Sequence, residues 1–265
     1  MASMGKIQAI YRYPVKGLSA ETLPRARLSA GATIPADRLY AIENGPSGFD
    51  PMTPAYLPKQ RFLMLMRHER LAALRTQFND ATHTLIVRSE NREAARGDLR
   101  TAEGRAAIEA FFAAYCGDEL RGPPRILTAP EHSFQNMSPG HSFSDVAQKV
   151  VSVISLASVA EVENAAGAPV HPLRFRGNVY VSGWPAWHEF NLIGEEIAIG
   201  PARLKVVRRI KRCAATNVEP DTGIRDLNIP QTLMQTFGHA DCGVYAEVVR
   251  AGEITVGDIV RAAEG

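Results

Sequence analysis

Arg208-Arg209-Ile210-Lys211-Arg212-Cys213-Ala214-Ala215-Thr216-Asn217-Val218-Glu219-Pro220-Asp221-Thr222-Gly223 is the stretch on which the reading of this chain turns. A strand-like run ends within it, and one cysteine follows four cationic side chains. Cations beside a thiol favour the thiolate. A thiolate is a soft ligand suited to polarizable metal centres, and arginine binds phosphate through two parallel hydrogen bonds. The same residues also fit a solvated basic strand carrying a packed cysteine.

Outward from this stretch the chain is ordinary in bulk. Its 265 residues suffice for one large domain or two small ones. Apolar residues make up 45% and charged ones 22%, the balance of a globular protein. A net charge of +2 excludes a bulk field for nucleic acid or an anionic membrane, so neither is expected as a partner. No run reaches the roughly 20 apolar residues of a membrane helix. Met1 to Gly5 has no signal-peptide pattern. Cys116, Cys213 and Cys242 are too few and too scattered for a disulfide framework, which points to a reducing cytoplasm.

The pattern predicts an α+β chain, predominantly β. Strands are expected over 5–13, 38–43, 70–78 and 82–88, with a proline-rich surface loop over 44–58. Ile108, Phe111, Phe112 and Tyr115 form one apolar stripe of a helix over 101–116, and Gly117 suits its end. Arg121-Gly122-Pro123-Pro124 marks a boundary, dividing the chain into 5–120 and 125–262. Beyond a polar loop over 130–144, a strand over 149–154 leads to Ser155, which caps a helix ending at Gly167. Strands return over 178–182, 196–199, 202–209, 244–250 and 253–256. Short strands with Gly and Pro turns suggest a curled sheet or barrel.

Several motifs are missing. Neither a Rossmann fingerprint nor a P-loop is present. His68-Glu69 and His188-Glu189 lack the second histidine of a zincin helix. Three cysteines cannot ligate an ordinary iron–sulfur cluster, and no C-x-x-C pair occurs. Pyridoxal phosphate binding is not expected.

Arg-Cys-x-x-Thr-x-Val-x-Pro-Asp-Thr-Gly at 212–223 resembles the cofactor-cysteine motif of MOSC-domain proteins, above all the mitochondrial amidoxime-reducing component and its bacterial relatives. Other stretches agree in order: Tyr13-Pro14-Val15-Lys16-Gly17, Asp37-Arg38, Arg174-Phe175-Arg176-Gly177-Asn178 and Val256-Gly257-Asp258. Together they run over nearly the whole chain. The resemblance implies a strand-rich N-terminal domain followed by a MOSC β-barrel with a few helices.

It also implies a molybdenum cofactor, Mo-molybdopterin, with Cys213 as the ligand to the metal. Lys16, Arg38, Arg176 and Asn178 match positions that contact the pterin and its phosphate. Gly17 stands where many relatives carry Ser. Ser155 is a candidate because helix N-termini bind anions, and Arg212 and Tyr245 are further candidates. Cys242, beside Asp241 in a turn, and Cys116, on the back of the helix, read as structural. The implied function is oxo-transfer reduction of small N-hydroxylated compounds. Electrons would come from an external ferredoxin, flavoprotein or cytochrome, because no electron-transfer motif is read here and no ferredoxin-type domain precedes the end at Gly265. Asp221 and His239 are near Cys213 in sequence and are candidates to carry protons. The alternative is a non-catalytic carrier of the cofactor or of persulfide sulfur.

Overall fold

The computed structural model describes residues 4–128 and 141–263. In chain order the elements are β1 (Gly5–Arg12), β2 (Glu21–Leu23), β3 (Arg25–Leu28), β4 (Ala41–Asn44), β5 (Arg75–Asn79), β6 (Thr84–Ser89), β7 (Arg92–Asp98), α1 (Ala102–Cys116) and β8 (Pro124–Leu127). Then come β9 (Val151–Ser155), α2 (Leu156–Ala166), β10 (Val179–Ser182), α3 (His188–Asn191), β11 (Glu196–Ile199), β12 (Ala202–Lys211), α4 (Ile229–Phe237), β13 (Asp241–Arg250), β14 (Gly252–Thr255) and β15 (Ile259–Ala262). The expected α+β, predominantly β class is the one observed.

Seven strands close a barrel in the order β10-β9-β13-β12-β11-β15-β1, with β1 returning to β10. All its pairings are antiparallel except β9 with β10, which run parallel with α2 between them. Alternation sends one side chain of each pair inward. Ile7, Ile10, Val153, Val181, Leu204, Val206, Val244 and Val260 fill the centre. Across the division expected between 5–120 and 125–262, β1 joins this barrel and β3 pairs with β14.

A second core lies under β5-β6-β7 and α1. Thr101 caps α1 by accepting the Gly104 N–H at 3.0 Å. Ile108, Phe112 and Cys116 face inward, and Gly117 ends the helix at φ 51°. Residues 13–18 leave β1 and enter this second core through Val15 and Leu18. The crossover therefore runs between the two cores.

Some boundaries differ from expectation. Residues 70–73, read as the start of a strand, belong to the 3-10 turn Glu69–Ala73, and β5 begins at Arg75. The segment around Cys242, read as a turn, opens β13. Strands β2, β3, β7, β8 and β15 and helix α4 were not anticipated. The polar loop expected over 130–144 lies outside the described residues as far as 140. No helix among the described residues is long and apolar enough to cross a membrane.

Because β1 is a stave of the barrel, truncating its core residue should weaken the whole molecule. Ile10 is 0% exposed. Ile10→Ala is expected to lower the unfolding free energy by about 2–5 kcal/mol, read by urea denaturation followed by tryptophan fluorescence.

Candidate functional site

A cavity of about 310 Å³ opens between the barrel and the second core, in the size range of small-molecule sites. It gathers Lys16, Gly17, Arg38, Arg176, Asn178, Arg212, Cys213 and Tyr245 from distant parts of the chain. The gathering has a local cause. Residues 13–16 pair with 38–40 through Lys16 N to Tyr40 O at 2.8 Å and Arg38 N to Tyr13 O at 2.7 Å. That pairing puts Arg38 beside the crossover. The Tyr13 hydroxyl donates to Gly177 O at 3.2 Å, which ties on the 174–178 loop.

Tyr13 is the hub. Its ring is buried, with the Arg176 guanidinium 4.2 Å from its centroid and that of Arg38 at 4.8 Å, cation–π distances. Burial pushes its phenol up to about 12, against the pull of both cations. Arg38 and Arg176 have φ of 54° and 49°, a region that non-glycine residues adopt at a cost and that clusters at functional sites.

The cations differ in how far they are committed. Arg38 is held by Asp37 and donates to Arg176 O at 3.2 Å. Lys16 is buried, contacts Asp145 and donates to Phe143 O at 2.9 Å. Burial pulls its pKa down, and Asp145 opposes the pull. Arg212 spends its guanidinium on the carbonyls of Cys242 and Phe175, at 2.7 and 2.8 Å. Arg176 makes no hydrogen bond or ion pair through its guanidinium with any described residue, and burial lowers its pKa.

Cys213 follows β12 in extended conformation and starts a 3-10 turn, its carbonyl accepting from Thr216 N at 3.0 Å. The thiol is half-buried at the cavity wall. Its nearest cation is Lys59, whose Nζ lies 3.2 Å from Sγ. Burial acts to lower the Lys59 pKa, yet Asp145 and then Cys213 outweigh it and raise it. The four cations preceding Cys213 in sequence also line the cavity, each with a further contact or exposed to solvent. Arg208 donates to Gln148 at 2.8 Å, Arg209 lies over Phe190, Lys211 is exposed and Arg212 clamps carbonyls.

Three expectations need correction. Ser155 is fully buried and does not line the cavity; the start of α2 faces the Glu189 carboxylate, which accepts from Ser158 Oγ at 2.9 Å. That carboxylate takes the place an anion would need. Asn178 lines the cavity, but its amide stitches the barrel, accepting from Ser152 Oγ at 2.8 Å and donating to Tyr11 O at 3.1 Å. Neither Asp221 nor His239 reaches the cavity: Asp221 pairs with exposed Arg75, and His239 sits among Trp187, Phe190 and Phe237. Tyr245 does line the cavity, 5.6 Å below Arg208.

Sequence reasoning missed Lys59 and Asp145. No group of three His, Cys, Asp or Glu that could hold a metal exists among the described residues. A metal here would bind one thiolate and bring its remaining ligands with it. The single half-buried thiol beside a cationic cavity fits a metal carried by an anionic organic group.

One variant and one labelling experiment check this geometry. Gly17 has φ +84°, and a Cβ there would lie 2.9 Å from Leu63 O. Gly17→Ser, which restores the commoner residue, should therefore cost about 1–3 kcal/mol in thermal or urea unfolding instead of adding a contact. Burial pushes the Cys116 thiol up to about 11 and that of Cys242 up to about 12. At pH 8 Cys242 is thiolate in roughly one molecule in ten thousand. Iodoacetamide should label Cys213 alone in the native protein, and peptide mapping that finds Cys242 modified would contradict the placement.

The MOSC N-terminal beta barrel domain matches residues 4–120 and the MOSC domain matches residues 130–261. The chain is similar to mitochondrial amidoxime reducing component 2 of Bos taurus, 30% identical over 122 residues, which are 42% of this chain and 36% of that protein. It is 29% identical to mitochondrial amidoxime-reducing component 1 of Homo sapiens over 120 residues, 41% of this chain and 35% of that protein. The matched stretch thus spans about a third of those relatives' length. Among solved structures, the YUAD protein of Bacillus subtilis aligns over 100% of this chain and 99% of that one, with 14% identity and a TM-score of 0.46. YiiM of Geobacillus stearothermophilus aligns over 43% of this chain and 54% of that one, with 21% identity and a TM-score of 0.34. The chain belongs to the MOSC-domain proteins, with a MOSC N-terminal beta barrel domain preceding its MOSC domain.

Proposed function

We propose that the chain binds a molybdenum cofactor in the cavity between its two cores and works as an oxo-transfer reductase of small N-hydroxylated compounds. The observation that carries this reading is the Cys213 thiol, the only cysteine side chain lining that cavity among the described residues, facing a cluster of lysines and arginines. When bound, the cofactor supplies two-electron oxo transfer.

The chain's own residues do the rest. Cys213 acts as a ligand, not a nucleophile, and its extended backbone and the Thr216 hydrogen bond fix where its sulfur stands. Arg176, without an anionic partner among the described residues, is placed to take the negative charge of the cofactor. Lys16 and Arg38, already held by carboxylates, add a positive field more than a direct grip. Arg212 and Asn178 keep the walls in place. Electrons come from an external donor protein. The names of the relatives as amidoxime-reducing components support the substrate class. In the carrier reading the same thiol holds cofactor or sulfur without turnover.

The test is molybdenum per chain, measured by elemental analysis on protein from cells able to make the cofactor, beside benzamidoxime turnover with a chemical reductant. The native chain should hold near-stoichiometric metal, Cys213→Ala should lose about tenfold or more, and Cys242→Ala should keep it. Metal without turnover favours the carrier. Full metal and activity in Cys213→Ala would sink the assignment.

A further inference from the structure

Lys59 is the cation closest to the reactive end of the cavity, and no motif in the sequence announces it. It starts the 3-10 turn Lys59–Arg61, which follows the proline-rich loop, and the turn closes with Phe62 N donating to Lys59 O at 3.1 Å. Phe62 is 2% exposed and packs against Phe143. The backbone of Lys59 is therefore fixed by a buried anchor three residues on. Its side chain is 25% exposed and reaches the cavity, ending 3.2 Å from Cys213 Sγ.

The ammonium is only partly neutralised. Asp145 is the one carboxylate near it among the described residues. That carboxylate touches Lys16 and stands 3.9 Å from Lys59. An ammonium has three donors, and at 3.9 Å the second group is an ion pair without a proper hydrogen bond. Lys59 thus keeps donor capacity directed at whatever sits on the sulfur. A group bonded to Sγ on the side of Lys59 would stand beside that ammonium.

From this geometry we infer that Lys59 is a specificity-determining residue that selects negatively charged ligands at Cys213. The substrates it favours are oxidised nitrogen compounds bearing an anionic oxygen or a carboxylate, over neutral ones of the same size. The substrate chemistry rests on the function proposed above. The charge preference rests on the contact between Lys59 and Cys213 alone.

Paired alkylation of the cofactor-free protein isolates the charge effect. Iodoacetate and iodoacetamide react by the same displacement, the thiolate forming an S–C bond as iodide leaves, and differ in charge. The ratio of their rates at Cys213 cancels the thiolate fraction. The native protein should favour iodoacetate relative to a small free thiol. Lys59→Met should lower the ratio by about fourfold or more, the effect of one charge at such a distance near water. Lys59→Arg should retain most of it, and Lys205→Met, on the exposed face of β12, should leave it unchanged. Site-resolved mass spectrometry guards against unfolding, which would expose Cys116 and Cys242 to label.

An unchanged ratio in Lys59→Met overturns the inference. In molybdenum-loaded protein, kcat/KM for a carboxylate-bearing N-hydroxy compound should fall about fourfold more than for benzamidoxime in the same variant. Lost alkylation selectivity in a chain that never takes up molybdenum would leave the charge preference standing and remove the enzyme. Metal uptake with unaltered selectivity would do the reverse.

Discussion

Everything at the cavity depends on the hydrogen bonding of β1 between β10 and β15. Without that strand the barrel has two open edges, each a row of unpaired backbone groups. With it, the barrel closes, and the chain leaves at Tyr13, on the side where the second core packs. Tyr13, Lys16 and Gly17 then stand at the seam because the strand before them is fixed. The first dozen residues are bound to the last strands of the chain, so the two parts share one structural element.

Arginines hold the rest of the seam, and most do so through backbone carbonyls. Arg174 reaches Asn217 O at 3.1 Å and Asp226 at 2.7 Å, and Arg225 reaches Ala214 O and Leu65 O, both at 3.0 Å. With Arg212 on Cys242 and Phe175, these guanidiniums pin the loop after Cys213 from both sides. A planar fork with five donors suits this task, and a lysine would not replace it. The result is a cysteine in a rigid frame, with Lys59, its nearest cation, supplied from the opposite side.

The barrel was legible where burial imposes a simple period. Strand β12 alternates over its first half, β11 is a short apolar run and α1 carries one apolar stripe, and their expected ranges nearly coincide with those observed. Short strands such as β2 and β8, of three and four residues, are too brief to show a period in the sequence. At the site, Lys16, Arg38, Arg176 and Cys213 were legible through colinear motifs. The Lys59 and Asp145 contacts were not, because they join residues far apart: Lys59 is 154 positions from Cys213, and Lys16 is 129 from Asp145. The charge run before Cys213 does line the cavity, but bulges in β12 give its side chains separate partners, so the cation nearest the sulfur comes from elsewhere in the chain.

The cavity concentrates like charge at a cost that the fold must bear. Lys16, Arg38, Lys59 and Arg176 line it together with Arg174, Arg208, Arg209, Lys211 and Arg212, against Asp37 and Asp145 as the carboxylates among the described residues, so positive charge is in excess. Arg38 lowers the pKa of both Lys16 and Arg176, the sign of mutual repulsion, after the larger effect of burial. Two of these residues also sit in the left-handed region. Such an arrangement is less stable than a neutral one would be, and an anion bound between the cations relieves it. Binding to the folded form alone then adds to its stability in proportion to the logarithm of ligand concentration over Kd. On this argument the strain would favour the anionic ligand of the proposed function, because the relief is available only to a ligand carrying the missing charge.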